Sequence, residues 1–522
     1  MSTTLERIAP FTNEPVISFT RPEEIAAMEA ALARVKSRFG ERYPLVIGGK
    51  RIETEKQILS RNPSVKREIV GSVSSASAEQ ARAAIEIAAA TFETWKLESV
   101  ERRAEVLFRA AALMRERRFE FDAMLVYEVG KNWAEAEGEV TEAIDFLEFY
   151  AREALRYAGV QPVVPLAGER NEMIYIPLGV GAVIPPWNFA LAILLGMTAA
   201  ALVTGNTVVL KPSSDSPVIA ARAVELFEEA GLPAGALNFV PGSAAEIGDL
   251  IVGHPKLRFI SFTGSKEVGL HINELAAKRA PGQRWIKRVV AEMGGKDSIV
   301  VASDADLDAA VEGIAVSAFG YTGQKCSACS RAIVEAPVYN AFLEKLAARV
   351  AKITVGDPSR HGTGMGPVVS EGAFTSIRRY IEIGKGEGRV ICGGNPIGEE
   401  GYFLEPTVIA DVAPEARISC EEIFGPVLSV HKARDFDHAM EIANNTEFGL
   451  TGSLYTTDRK KIERAREEFF VGNLYFNRKS TGALVGVHPF GGFNMSGTDS
   501  KAGGRDYLLL FLQAKTISEK LA

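Results

Sequence analysis

Cysteine and histidine are scarce in this chain, and their scarcity excludes two classes of protein. The four cysteines of the 522 residues are Cys326, Cys329, Cys392 and Cys420, too few and too clustered to cross-link a chain of this length. A disulfide scaffold is therefore excluded, and a reducing compartment, the cytoplasm, is expected. Six histidines and a single Cys-x-x-Cys pair offer too few ligands for the usual zinc sites, so we expect no metal.

An excess of one charge is also lacking. Lys and Arg number 59 against 66 Asp and Glu, which gives a net charge of −7 with both signs scattered. Nucleic acid and anionic lipid need a concentrated positive field, so we expect neither as a partner. The most apolar stretch, residues 190–205, is shorter than the roughly 20 residues that span a bilayer and is predicted to be a buried helix. Residues 1–15 lack the pattern of a signal or transit peptide.

The length and the periodicity of the chain predict an α/β protein of at least two domains. A chain of 522 residues exceeds the size at which one hydrophobic core keeps growing. Residues 17–39 and 76–158 carry apolar residues at helical spacing, which predicts surface helices covering a sheet. From about 174, and again over 296–480, short β-branched runs that end in Gly, Pro, Ser or Asn alternate with helical segments. This alternation predicts two mainly parallel sheets with helices on both faces.

Two further segments alternate between apolar and polar residues, NEMIYIPL at 171–178 and LLLFLQAKTISEK at 508–520. An exposed edge strand is usually covered by a partner subunit. We therefore predict that these two segments form an oligomerisation hairpin.

Cys326 is the candidate nucleophile. It lies in the Gly-rich segment GQKCSACS, after a long helical segment with an Asp-rich start, and Lys325 precedes it. Exposure and positive surroundings raise the thiolate fraction of a cysteine, which nucleophilic catalysis requires. Two alternatives stay open: Cys326 and Cys329 as a redox pair or half of a metal site, and either thiol as a buried structural cysteine.

Two polar residues close apolar strands and can assist such a thiol. Glu292 ends the run VVAE before a Gly pair, where desolvation would raise its pKa toward the range of a general base. Asn188 lies in PPWNF, and its amide N–H, with a backbone N–H near Cys326, can hold a developing oxyanion. The alternatives are a surface glutamate and an asparagine that only satisfies the turn. Together the three residues suggest attack by a thiolate and hydrolysis of a thioester.

A phosphate site is suggested by residues 258–269, RFISFTGSKEVG, which predict a strand, a tight turn and a helix start. This geometry offers free backbone N–H groups and a hydroxyl to a phosphate, although no GxGxxG follows a strand. Lys211, in VLKPSS, ends another strand and can reach a ribose or a phosphate. A turn that only caps a helix and a solvated lysine are the alternatives.

These segments together resemble the aldehyde dehydrogenase superfamily over nearly the whole chain. The matching motifs are PPWNF, NTVVLKPS, FTGSKEVG, AEMGGKDS, GQKCSACS, EEIFGPV, FGLTGSLYT, GNLYFNR and HPFGGFNMSG. Within the superfamily, FTNEP, YEVGKNWAEAEGEV and NRKSTGALVGVHPFGGFNMSGT are similar to the 1-pyrroline-5-carboxylate dehydrogenase branch, which oxidises glutamate γ-semialdehyde to glutamate.

The resemblance implies Cys326 as nucleophile, Glu292 as the base for deacylation, and Asn188 with the Cys326 backbone N–H as the oxyanion hole. It implies NAD as cofactor, with NADP as the second choice, because Ser214 stands where many NAD-preferring relatives carry a glutamate. Lys211 would hold the adenosine ribose, Ser265 the pyrophosphate and Glu422 the nicotinamide ribose. The implied cofactor residues are Ile184, Pro186, Trp187, Lys211, Ser213, Ser214, Gly242, Phe262, Thr263, Gly264, Ser265, Val268, Met293, Gly294, Glu422 and Phe424.

For the substrate, the resemblance implies a carboxylate held by Ser327, Gly482 and Ala483, although Ala483 lacks the hydroxyl of relatives with serine. Phe189 and Phe490 would wall the aliphatic part, and Glu137 the far end. Arg478 and Lys479 would add positive potential.

The implied fold is a Rossmann-type NAD-binding domain over 1–158 and 178–295, a catalytic domain over 296–497, and an oligomerisation element over 159–177 and 498–522. A homo-oligomer built on a dimer and coupling to a proline dehydrogenase are the implied partners. Three alternatives stay open: a dehydrogenase for another small aldehyde, a cysteine acyl hydrolase without a redox step, and a non-catalytic protein with this fold.

Overall fold

The structure, a computed structural model, describes residues 8–521. The prediction that no targeting signal is present depends partly on residues 1–7, which lie outside the described residues, as does Ala522. Twenty-three strands lie within the described range: β1 (Glu41–Tyr43), β2 (Leu45–Ile47), β3 (Lys50–Ile52), β4 (Gln57–Arg61), β5 (Ile69–Ser74), β6 (Glu169–Pro177), β7 (Val180–Ile184), β8 (Thr207–Leu210), β9 (Leu237–Phe239), β10 (Leu257–Thr263), β11 (Arg288–Glu292), β12 (Asp297–Val301), β13 (Cys329–Glu335), β14 (Arg389–Cys392), β15 (Pro396–Ile397), β16 (Phe403–Leu404), β17 (Thr407–Ala410), β18 (Val427–Ala433), β19 (Phe448–Gly449), β20 (Thr451–Tyr455), β21 (Asn473–Phe476), β22 (Phe493–Asn494) and β23 (Leu512–Lys520).

Fifteen α-helices lie within the same described range: α1 (Pro22–Lys36), α2 (Ala78–Trp95), α3 (Val100–Glu116), α4 (Arg118–Val129), α5 (Trp133–Tyr157), α6 (Ala192–Val203), α7 (Pro217–Glu229), α8 (Asp249–Gly253), α9 (Lys266–Ala277), α10 (Leu307–Phe319), α11 (Tyr339–Val350), α12 (Glu371–Glu387), α13 (Arg417–Cys420), α14 (Phe436–Asn444) and α15 (Arg459–Glu468). Side-chain oxygens accept backbone N–H groups at several of their starts, for example Ser77 before α2 and Asn132 before α5. Such caps satisfy donors that a helix start otherwise leaves free.

The first large sheet has the strand order β11-β10-β7-β8-β9-β2-β3. Strands β11 to β9 run parallel, and β2 and β3 complete the sheet antiparallel. Successive residues of a strand face opposite sides: Val183 packs with α3 to α7, whereas Ala182 packs with α2, α8 and α9. Helices therefore cover both faces, as the apolar, β-branched strands predict.

The second large sheet has the strand order β14-β17-β18-β13-β12-β20-β21 and is parallel except for β14. Ile299 faces α10 and α11, while its neighbour Val300 faces α14. The chain leaves the first sheet at Glu292 and enters the second at Asp297. The α/β class and the two parallel sheets are confirmed, and the domain boundaries stay a prediction.

One of the helices within residues 76–158 is not the surface helix that the sequence predicts. The prediction of surface helices is wrong for α5, which packs between α3 and α6 and buries most of its length, acidic residues included. The predicted buried helix is confirmed as α6, whose residues are nearly all inaccessible. None of the helices formed by residues 8–521 has both the length and the apolar character that crossing a membrane demands.

The two alternating segments do pair. Strands β6 and β23 form an antiparallel ribbon from Glu169 opposite Lys520 to Pro177 opposite Leu512. Most of β23 is exposed to solvent. The predicted pairing is confirmed, and its role in assembly stays a prediction.

Candidate active site

The nucleophile candidate follows a strained turn. Between α10 and β13 the chain passes through Tyr321 (φ 49°) and Thr322 (φ 58°), both in the left-handed region. The Tyr321 hydroxyl donates to the Val129 carbonyl at 2.9 Å, and the Thr322 hydroxyl donates to the Gly366 carbonyl at 3.0 Å. Non-glycine residues persist in this region only when their surroundings hold them there. The turn fixes the path by which the chain delivers Cys326 to a cavity.

The expected positive surroundings of Cys326 are not present. The Lys325 ammonium lies 2.6 Å from the Glu135 carboxylate, which neutralises it. Burial raises the pKa of the Cys326 thiol, and the carboxylates of Asp297, Glu422 and Glu292 raise it further. These surroundings favour the protonated thiol, contrary to the expectation of a raised thiolate fraction.

The two neighbouring thiols have different surroundings. All four cysteines are free. Cys329 is buried at the start of β13 and contacts the Arg331 carbonyl at 3.5 Å, whereas Cys326 opens onto the cavity. This difference makes Cys326 the thiol that a small molecule can reach.

Asn188 reaches the same turn from the other side. It is buried in the loop between β7 and α6, and its side-chain amide donates to the Gln324 carbonyl at 3.1 Å. An asparagine amide has two N–H donors, so the second can serve a ligand. The structure thus brings Asn188 to the segment that precedes Cys326.

Glu292, the last residue of β11, lines the cavity that Cys326 also lines. Its carboxylate accepts the Ser500 hydroxyl and, at 3.3 Å, the Gly492 N–H. Burial raises its pKa to about 8, and these hydrogen bonds only partly oppose the rise. A Cβ on Gly491 would lie 1.6 Å from the Ser500 carbonyl oxygen and 2.9 Å from the Glu292 carboxylate, so glycine is required where these groups approach. The raised pKa that the sequence predicts for Glu292 therefore agrees with the buried position of its carboxylate.

The cavity has a volume of about 380 Å³, which suits a small metabolite. It brings together Cys326, Glu292 and most of the residues expected to contact substrate. The predicted site residues on its wall are Phe189, Thr263, Glu292, Met293, Cys326, Ser327, Gly482, Ala483 and Phe490.

Glu137 does not line this cavity, which corrects the sequence-based expectation. Its fully buried carboxylate pairs with Arg118 and accepts the Ile17 N–H at 2.7 Å. Glu135, Glu139 and Glu142 line the cavity instead. Their spacing of four and three residues places them on one face of α5, and Glu137 lies on another. That spacing in KNWAEAEGEVTE was the available signal, and it was missed.

The acidic face continues to the outer part of the cavity. Burial, together with the neighbouring Glu139 charge, raises the pKa of Glu142 to about 8. Asp145 accepts Asn13 at 2.7 Å and the Glu14 N–H at 2.7 Å, which fixes the N-terminal segment where Val16 lines the cavity. None of these contacts was predicted, because they join residues more than 120 positions apart.

The loop after β21 gives the two predicted cations different positions. The Arg478 guanidinium donates to the Thr481 and Gly482 carbonyls, each at 3.2 Å, so it supports the loop from outside the cavity. Lys479 lines the cavity, and burial lowers its pKa. Gly482 has a φ of 75°, a conformation that glycine adopts without strain.

A second set of predicted residues lies at the carboxyl ends of the first sheet's strands. The strand β10 ends at Thr263, Gly264 makes the turn, and Ser265 caps α9 by accepting the Val268 N–H at 3.4 Å. A helix start of this kind presents N–H groups and a positive dipole end to a phosphate. Lys211 follows β8, and its ammonium is 3.4 Å from the Pro212 carbonyl. The predicted strand, turn and helix start are confirmed.

Glu422 and Gly294 face each other where the chain passes between the two sheets. The Glu422 carboxylate accepts the Gly295 N–H at 3.0 Å, and a Cβ on Gly294 would overlap that carboxylate. Burial raises the pKa of Glu422 to about 7. The Phe424 ring packs edge-on against Trp187 with a centroid distance of 5.6 Å. An apolar ring beside a carboxylate suits a nucleoside with a ribose and a flat base.

The remaining predicted cofactor residues lie on these same loops. Ile184 ends β7, Pro186 and Trp187 follow it, and Ser213 and Ser214 follow Lys211, with Ser214 exposed. Phe262 lies within β10, and Gly242 lies in the loop after β9.

The site combines a helix start that can bind a phosphate, a lysine and a glutamate that can reach a ribose, and a reachable thiol on the same cavity wall as a buried carboxylate. These features are those of a nucleotide-dependent enzyme. The chain belongs to the aldehyde dehydrogenase family, whose model matches residues 51–517.

Individual relatives show which aldehyde dehydrogenases the chain is similar to. The chain is 57% identical to the 1-pyrroline-5-carboxylate dehydrogenase of Geobacillus kaustophilus (strain HTA426) over 512 residues, 98% of this chain and 99% of that one. It is similar to the structure of the Thermus 1-pyrroline-5-carboxylate dehydrogenase with bound NAD, with a TM-score of 0.97, 52% identity, and 98% and 100% of the two chains covered. Proline utilization A from Bdellovibrio bacteriovorus matches with a TM-score of 0.97 and 43% identity over 98% of this chain and 53% of the longer one.

Proposed function

We propose that this chain is an aldehyde dehydrogenase that oxidises glutamate γ-semialdehyde, the hydrolysis product of 1-pyrroline-5-carboxylate, to glutamate with NAD in proline breakdown. One observation carries the proposal: a single cavity of about 380 Å³ contains a reachable thiol, a buried carboxylate and a loop with free backbone groups. Full-length relatives at 57% identity support the same substrate.

Residues at the strand ends of the first sheet, together with Glu422 and Phe424 from the loop before β18, fit NAD. Ser265 and the N–H groups of α9 would hold the pyrophosphate, Lys211 the adenosine ribose, and Glu422 the nicotinamide ribose, with Phe424 beside the ring. When bound, the cofactor supplies the acceptor for the hydride that leaves the substrate carbon. The full set proposed for the cofactor is the one that the resemblance implies.

The first chemical step belongs to Cys326. The thiol gives up its proton to solvent as its sulfur forms a bond to the aldehyde carbon, and the electron pair of the carbonyl double bond moves to the oxygen, which becomes an alkoxide. The second N–H of the Asn188 amide and the Cys326 backbone N–H hold this negative charge. Loss of the hydride from the same carbon leaves a thioester on Cys326.

The second step belongs to Glu292. Its carboxylate takes a proton from water, the water oxygen attacks the thioester carbon, and the carbon–sulfur bond breaks to release glutamate. The burial that raises the pKa of Glu292 to about 8 makes it a much stronger base than an exposed glutamate. Its hydrogen bonds to Ser500 and Gly492 hold the carboxylate on the cavity wall.

The charged groups on the cavity wall suit the two charges of the substrate. Ser327, Gly482 and Ala483, with the Lys479 ammonium beside them, would hold the α-carboxylate. Glu142, on the acidic face of α5, would hold the α-ammonium group. Phe189 and Phe490 would cover the methylene groups between them.

The experiment that tests the function follows the absorbance of reduced nicotinamide when the purified chain meets 1-pyrroline-5-carboxylate and NAD. We expect turnover, and a kcat/KM higher than that for succinate semialdehyde, which lacks the α-ammonium group. Preference for succinate semialdehyde would indicate a dehydrogenase for another aldehyde. Ester hydrolysis without any reduction of NAD would indicate the acyl hydrolase.

Cofactor choice gives a separate prediction at Ser214. The residue is exposed after β8 and has no carboxylate to repel a 2′-phosphate. We expect NAD to be preferred only modestly over NADP, and Ser214→Glu to lower kcat/KM for NADP about 10-fold or more with little change for NAD. The measurement is kcat/KM with each cofactor at saturating substrate. An equal fall with both cofactors would contradict the role of Ser214.

We also propose a homo-oligomer built on a dimer through the ribbon of β6 and β23. The ribbon leaves Ile517 partly exposed, and the preceding segment exposes Val160, Val163 and Val164. Apolar groups that cluster in this way mark an interaction surface. Light scattering is expected to give a mass of at least two chains, and Ile517→Glu is expected to shift it toward one. A single-chain mass for the unmodified protein would overturn the proposal.

The finer points of organisation are proposals too. We propose an NAD-binding domain over 1–158 and 178–295, a catalytic domain over 296–497 and an oligomerisation element over 159–177 and 498–522. Functional coupling to a proline dehydrogenase is supported by the longer proline utilization A chain, which this chain matches over 53% of its length. A cytoplasmic location is supported by four unpaired cysteines.

A further inference from the structure

A buried ion pair lies behind the proposed oxyanion hole, and the mechanism above does not use it. The Lys131 ammonium is 2.7 Å from the Glu139 carboxylate, and both side chains are fully inaccessible. Removing two charges from water is costly, and a well-packed apolar pair is often as stable. Stability alone therefore does not account for this ion pair, and the other contacts of Lys131 and Glu139 show which segments the pair holds in place.

Glu139 holds the start of α6. Its Oε1 accepts the backbone N–H groups of Leu191 and Ala192 at 2.7 and 3.1 Å. An anion at this position satisfies free donors and the positive end of the helix dipole. Asn188 lies only three residues before Leu191, so Glu139 fixes the end of the loop that carries the Asn188 amide.

Lys131 joins that loop to the nucleophile turn. Its ammonium lies 4.1 Å from the Phe189 ring centroid and 4.3 Å from the Tyr321 ring centroid. Phe189 follows Asn188 directly, and Tyr321 is one of the two strained residues before Cys326. A desolvated ammonium is attracted to the faces of aromatic rings. The cation therefore contacts one ring from each segment.

We propose that Lys131 and Glu139 are positioning residues that hold the Asn188 loop at a fixed distance from the Cys326 turn and so set the geometry of the oxyanion hole. The proposal rests on the proposed function, in which the Asn188 amide and the Cys326 N–H share one oxyanion. Neither residue touches the reacting atoms. Both act through the segments they contact, and Asn188 joins the same segments through Gln324.

The first test is Lys131→Met, which keeps the side-chain length and removes the charge. A donor displaced by about 1 Å costs on the order of 100-fold in rate, so we expect kcat to fall about 100-fold with KM within about threefold. Alkylation of Cys326 by iodoacetamide should keep its rate, because that reaction needs no oxyanion hole. Lys461→Met is the matched control, since Lys461 forms ion pairs with Asp304 and Glu335 away from the cavity.

The decisive readout is a double-mutant cycle with Asn188→Ala. If Lys131 acts through Asn188, the double variant should be no slower than Asn188→Ala alone, within about threefold. Multiplicative losses, or a loss in Lys461→Met as large as that in Lys131→Met, would overturn the proposal. Should Lys131→Met not fold, Glu139→Gln replaces it in the same cycle, because its amide oxygen still accepts from Leu191 and Ala192.

The assay of the unmodified chain distinguishes failure of the proposed function from failure of the positioning role. If the unmodified chain does not oxidise glutamate γ-semialdehyde, the function fails, and the cycle is run on whichever aldehyde or activated ester the chain turns over. Non-additive loss there supports the positioning role whatever the substrate.

Discussion

Replacing Cys326 by alanine is expected to lower kcat by about 10⁴-fold or more, because no other group on the cavity wall can form the thioester. The residue is only partly buried and its thiol has no side-chain partner that the fold needs. We therefore expect NAD binding and the melting temperature to stay close to those of the unmodified chain. The measurements are the reduced-nicotinamide assay, a cofactor titration and thermal unfolding.

Cys329→Ala is the control for this result. The Cys329 thiol is buried at the start of β13, so its loss should cost about 1 kcal/mol of stability and leave kcat within a few-fold. Equal loss of activity in both variants would revive the redox-pair interpretation of Cys326 and Cys329.

Glu292→Gln is expected to separate the two halves of the reaction. The first turnover should still reduce about one cofactor per chain, since the carboxylate is needed only to hydrolyse the thioester. Steady-state turnover should then fall by about 10²- to 10⁴-fold, the contribution of a positioned general base. Rapid-mixing kinetics distinguish this burst from a variant that is slow in both steps. Absence of a burst would show that Glu292 acts before the thioester forms.

The pH dependence of Glu292 has a defined sign. Burial raises its pKa to about 8, so the active carboxylate form increases as pH rises through 8. We expect steady-state turnover of the unmodified chain to rise between pH 6 and 9, and the rise to be lost in Glu292→Gln. A rate that is flat over this range would contradict the assignment.

The free energy of unfolding of the unmodified chain should fall as pH rises, whereas its turnover should increase. A carboxyl group with a raised pKa favours the folded state in its protonated form, and this stabilisation is lost as pH rises from about 4.5 to about 8. Glu292→Gln cannot ionise. Its melting temperature is therefore expected to exceed that of the unmodified chain at pH 9 by more than at pH 5.

The sequence predicted well those parts of the fold that depend on neighbours along the chain. The strands β7 to β13 and the starts of α9 and α10 were found because β-branched runs and capping residues are local signals. The strands β1 to β5 were not found. Three of them have only three residues each, which is too short to show a usable periodicity.

The site residues that the sequence predicted are likewise those with a local signal. Glu292, Lys211 and Ser265 were found because each directly follows or ends a strand, and the carboxyl ends of parallel strands meet at one edge. The acidic face of α5 was missed because its charges were interpreted as contacts with solvent. Only the packing of α5 against α6 shows that they face a cavity. The pKa of Cys326 was misjudged for the same reason, because the partner of Lys325 comes from α5.

The segment that contacts Glu292 and its neighbour Ala291 is synthesised after Cys326, which fixes the order in which the parts of the cavity become available during translation. Ser500 contacts the carboxylate, Thr498 pairs with Ala291, and Tyr507 completes the cavity wall. Cys326 is synthesised well before any of these residues. A nascent chain therefore carries its thiol through the ribosome exit before the cavity around it can close.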